Sequence, residues 1–139
     1  MTRFTSLLAW PVVLLAALVT SGCGSSRQLR SVTLSPSTAD AQNFPSGQVP
    51  FVAVGTFSNP PSPVNLTSNV VLWCVGGGDG LCVGNANPGA TVDQTGTAQC
   101  NTGFAGTATI LAGTPSNIMV NPDSGPKLNV FGSAQLTCP

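Results

Sequence analysis

The chain has 139 residues, no net charge at pH 7 and only 6% charged residues, where roughly 25% is usual for a soluble domain. With so few charges there is no basic patch to neutralise phosphates and no acidic field to draw in cations, so nucleic acid is not expected as a partner. Histidine, tyrosine and glutamate are absent, which removes most of the side chains that enzymes use for proton transfer; the expectation is a non-enzymatic chain with no cofactor and no metal.

Arg3 precedes an apolar stretch from Leu7 to Val19, and small residues Thr20-Ser21-Gly22 then lead to Cys23. This is the three-part layout of a secretory signal peptide. The apolar stretch falls short of the ~20 residues that cross a bilayer, and Pro11 interrupts it. Val19-Thr20-Ser21-Gly22-Cys23-Gly24 resembles the lipobox of bacterial lipoproteins, in which the cysteine thiol takes a diacylglycerol and the chain is cut before it. Thr20 departs from that pattern, which favours Leu or Val at its place. The resemblance implies that residues 1–22 are removed and that Cys23 carries lipid. Residues 23–30 would form a lipidated tether, with Gly24–Gln28 short and flexible. Several acyl chains anchor stably where one holds only marginally. No Asp follows Cys23 directly, which among such lipoproteins implies the outer membrane or cell surface rather than the inner membrane.

Residues 31–139 read as a single β-rich domain. Short β-branched and apolar runs predict strands at Ser31–Ser35, Val49–Thr56, Val70–Val75, Ala90–Val92, Thr97–Cys100, Thr107–Ala112 and Asn129–Cys138. Turn chemistry separates them: Asn59-Pro60-Pro61-Ser62-Pro63, Gly76-Gly77-Gly78-Asp79-Gly80, Asn87-Pro88-Gly89, and Asn121 to Pro126. No segment after Cys23 has the period of a helix. Alternation assigns one face to the core: Val49, Phe51 and Ala53; Val71, Trp73 and Val75; Ala108, Ile110 and Ala112; Ala134 and Leu136.

Ser31-Val32-Thr33-Leu34-Ser35-Pro36, Val49 to Phe57, Leu66 to Trp73, Ala90-Thr91-Val92-Asp93 with Gly96, and Gly106 to Ile110 together resemble a bacterial immunoglobulin-like domain of group 2, the BIG2 type of surface proteins. The Pro-rich turn at 60–63 and the longer, cysteine-bearing loop at 76–89 depart from that pattern. The resemblance implies an immunoglobulin-like antiparallel β-sandwich of about seven strands, with a structural, adhesive or ligand-presenting role and no catalysis.

Setting Cys23 aside leaves Cys74, Cys82, Cys100 and Cys138, an even set that in an exported protein predicts two disulfides. Cys100 shares a parity with Ala98, and Cys138 with Ala134 and Leu136, so both face inward near strand ends. Cys74 has the opposite parity to Trp73, with Cys82 a glycine-rich turn away. Parity therefore favours Cys74–Cys82 and Cys100–Cys138. A four-cysteine zinc site lacks the close cysteine spacing it would need.

The acidic residues Asp40, Asp79, Asp93 and Asp123 each sit in a separate turn, where Asp serves local hydrogen bonding better than paired acid–base work. The Gly76–Gly80 run occurs once and has no following Lys, so it predicts a compliant hairpin and not a phosphate loop. The function expected is that of a lipid-anchored cell-envelope module, meeting the membrane through Cys23 and an unidentified protein or glycan through loops at one end, chiefly 76–89 and 113–126. The alternative is a small structural subunit that docks by an edge strand onto a larger envelope complex.

Overall fold

The computed structural model describes residues 26–66, 68, 70–83, 89–116 and 125–139. The signal segment, Cys23, Asp123 and the loop residues 84–88 and 117–124 lie outside the described residues.

The strands are β1 (Leu29–Ser35), β2 (Thr38–Asp40), β3 (Gln48–Pro50), β4 (Val52–Phe57), β5 (Val64–Asn65), β6 (Leu72–Val75), β7 (Ala90–Val92), β8 (Thr97–Cys100), β9 (Gly106–Pro115) and β10 (Leu128–Cys138). Two 3₁₀ turns, Ala41–Asn43 and Pro45–Gly47, join β2 to β3. Hydrogen bonding orders the strands as β1-β4-β5, β3-β8-β7 and β2-β10-β9-β6. The first two groups form one layer, because β3 and β4 are parts of one extended run that changes partner at Phe51. The result is an all-β sandwich of two layers.

The change of partner has a local cause. The Phe51 amide donates to the Gly96 carbonyl at 2.9 Å, one step past the Pro50–Thr97 pair, whereas the next residue, Val52, pairs with Ser35 on β1. No residue is inserted there, so Val49, Phe51 and Ala53 keep one parity and all three are buried. Gly96 lies at φ +87°, and a Cβ on it would fall 2.5 Å from the Phe51 oxygen and 2.7 Å from the Trp73 ring. Only glycine fits that place. Trp73 fills the space between the layers with Val71, Val75, Ile110, Ala134 and Leu136.

Three features depart from the expected strand set. The strand predicted at Val49–Thr56 is divided at Phe51. The short, polar β2 adds itself to β10 in parallel, Thr38 opposite Gln135 and Asp40 opposite Thr137, so that layer is mixed and not wholly antiparallel. The two-residue β5 pairs with Val54 and Gly55.

β1 and β10 run alongside each other at the boundary of the layers. A Cβ on Gly132 would lie 2.5 Å from the Val32 carbonyl oxygen, and the Gln135 amide donates to the Ser37 oxygen at 2.9 Å. The two strands therefore rise in the same direction, which defines two ends. At one, the base, are residues 26–28, the 58–63 loop, Ser116 and residues 125–127. At the other, the far end, are the 3₁₀ turns, the turn after Cys100, and Cys138.

Candidate functional site

Leu72–Val75 is short enough to be crossed by its own continuation. After Val75 the chain folds back as a hairpin over the outer face of the β2-β10-β9-β6 layer. Gly77 donates to the Leu81 oxygen at 3.1 Å and Val83 to the Val75 oxygen at 2.8 Å. The hairpin is then fastened to the approach of β10, with Cys82 donating to the Pro126 oxygen at 3.1 Å and Leu128 to the Gly80 oxygen at 2.8 Å. Cys74 and Cys82 form a disulfide with their Cα atoms 5.7 Å apart.

Beneath this latch lies a second hydrophobic cluster. Cys82, Leu111 and Leu128 are buried there, packed against Leu72, Cys74 and Phe131. The outward parity of Cys74 holds, but the hairpin covers the face onto which it points. The alternation reading missed Leu111, although the unbroken run Ile110-Leu111-Ala112 is the signal of a strand covered on both faces. The described parts of the two expected binding loops thus do meet. They meet where the hairpin lies over the outer face of that layer, beside its base end.

At the far end, Cys100 and Cys138 are joined with Cα atoms 5.8 Å apart, linking β8 in one layer to β10 in the other. Beside this bond is an open hollow of about 270 Å³, lined by Gln42, Phe44, Gln99 and Pro139 among others, with no charged side chain in its lining.

The described carboxylates each serve their own turn. Asp40 accepts from the Gln42 amide at 3.0 Å and Asp79 from the Leu81 amide at 3.1 Å. Asp93 accepts from the Thr95 hydroxyl at 2.6 Å, the Thr95 amide at 2.8 Å and the Thr97 amide at 3.0 Å. Those bonds, the Thr95 hydroxyl foremost, hold its pKa below the ordinary carboxylate value. Among the described residues no three His, Cys, Asp or Glu side chains gather as metal ligands would.

At the base, the segment expected to be a flexible tether is already part of the domain. The Arg27 guanidinium stacks 3.8 Å from the centre of the Phe57 ring and donates to the Pro61 carbonyl. The Gln28 amide donates to the Ser58 hydroxyl at 3.0 Å and the Ser58 amide to the Gln28 carbonyl at 2.9 Å. A planar cation on an aromatic face gains both charge–quadrupole attraction and contact area. The tether expectation is corrected to that extent: its last residues are bound.

Of the edge strands, β2, β5, β6 and β7 are between two and four residues long, the end of β6 is covered by Val83, and the seven-residue β1 runs beside β10. No protein-family description matches the chain, and no curated protein matches it by sequence.

Proposed function

We propose that this chain is a lipid-anchored module of the bacterial cell envelope, of the BIG2-like kind its sequence resembles, held to a membrane through Cys23 and acting by binding rather than by catalysis. One observation carries the binding half of the proposal: the carboxylates of Asp40, Asp79 and Asp93 are each consumed by their own turns. Among the described residues no pair of titratable groups converges on a reactive point, as acid–base chemistry would need. The anchoring half rests on the Val19–Gly24 motif. The surface offered to a protein or glycan is the uncharged hollow beside Cys100–Cys138 and the latched hairpin at 76–83. Docking by an edge strand is less favoured, since β2, β5, β6 and β7 are too short to template a long ladder and the longer β1 lies against β10.

The anchor is tested by Cys23→Ser in the natural host. Metabolic labelling with a fatty-acid analogue should disappear and the uncleaved precursor should accumulate. Labelling that persists in the variant would sink the reading.

A further inference from the structure

We infer that the base of the sandwich is a lipid-facing surface, held by Arg27, Arg30 and Lys127 against anionic headgroups while the far end faces away from the membrane. The inference rests on the anchoring proposed above and adds a partner and an orientation to it.

The first support is length. Between Cys23 and the pinned Arg27 lie Gly24, Ser25 and Ser26, so the two α-carbons are at most about 14 Å apart even if fully extended. β10, by contrast, runs through 11 residues, or about 37 Å at ordinary strand rise. A lipid on Cys23 can therefore reach the bilayer from the base but not from the far end. Because Arg27 is fixed on Phe57 and Pro61, only that short span separates the lipid from the domain.

The second support is charge. Of the four basic residues in the chain, Arg3 precedes the cleavage point and the other three are Arg27, Arg30 and Lys127. Arg27 stacks at the base, Arg30 is the second residue of β1, and Lys127 immediately precedes β10. All three are exposed, and all belong to the base end. Of the described carboxylates, Asp40 closes β2 at the far end, while Asp79, beside the Gly80 that accepts from Leu128, and Asp93, beside the Gln94 that shares a hollow with Val70 and Pro115, lie toward the base, where the three cations still outnumber them. Attraction between exposed charges fades beyond about 8 Å at physiological ionic strength, so cations act on headgroups only if the anchor already brings them close. The tether length does so.

The test uses the full, lipidated protein in phosphatidylcholine vesicles with and without phosphatidylglycerol. A photoreactive amino acid is placed at Val70, exposed just before β6 at the base, or at Thr102, exposed in the far-end turn. At least tenfold more lipid adduct is expected at position 70 than at 102. Arg30→Gln with Lys127→Gln should lower the position-70 yield several-fold with phosphatidylglycerol present and leave it unchanged without. Mass spectrometry of Cys23 separates the two claims. Equal adducts at both positions in a chain that carries lipid overturn the orientation alone; an insensitive double variant overturns the role of the cations. Absence of lipid on Cys23 removes the anchor, and the orientation with it.

Discussion

Asp93 accepts three hydrogen bonds in a single turn while remaining exposed, and this makes it a reporter of acid sensitivity. Its pKa lies below the ordinary value in the folded chain, so the folded state favours the charged form. The resulting stabilisation is present above the unfolded carboxylate value of about 4 and is lost as the pH falls through the lower folded value. Asp93→Asn keeps an acceptor but removes the charge. The variant should melt below the wild type near neutrality, and the gap should narrow as the solution is acidified below pH ~4. Thermal unfolding followed at several pH values checks this; a gap independent of pH would contradict it. The turn's place in the sequence was legible, since Asp favours such positions, but its depth was not. Gly96 looks like any turn glycine until Trp73 is seen beneath it.

The alternation that disclosed β10 has a plain cause: Ala134 and Leu136 are buried while Ser133, Gln135 and Thr137 between and beside them are exposed. β2 and β5 left no such trace: Thr38-Ala39-Asp40 is extended only because β10 offers a free edge to it. The hairpin over Leu111 was hidden for another reason, as its glycines advertise a turn but not the surface on which the turn lies. Its fastening is testable. The chain-entropy model assigns about 2.6 kcal/mol to a loop as small as that between Cys74 and Cys82. Cys74→Ala with Cys82→Ala should therefore lower stability by about 2–3 kcal/mol. The effect should also be local, because the bonds from Cys82 to Pro126 and from Leu128 to Gly80 lose their clamp. Hydrogen–deuterium exchange should quicken at residues 80–83 and 128 well before it does in β1, β4 or the centre of β9. Uniform quickening would show that the latch and the main core open as one unit.

At the scale of the whole molecule, the two layers are joined by their packed side chains, by the close approach of Gly132 to Val32, and by Cys100–Cys138. The candidate binding regions were less legible than the architecture, because they arise from where loops land and not from what they contain. The Arg27 clamp is the clearest instance: nothing in Arg27 alone announces Phe57, Ser58 or Pro61, which lie some thirty residues further along. The second disulfide also has a mechanical meaning. A load drawn between residue 26 and the far end would pull along β1 and β10, shearing their ladders together instead of unzipping them one bond at a time. Even after those ladders fail, the Cys100–Cys138 bond spans 38 positions and withholds about 130 Å of extended chain. In single-molecule extension the oxidised protein should lengthen by that much less than a variant with Cys100→Ser and Cys138→Ser. An anchored module of this construction would yield under drag as a short, stiff link, with its slack kept in reserve behind a covalent stop.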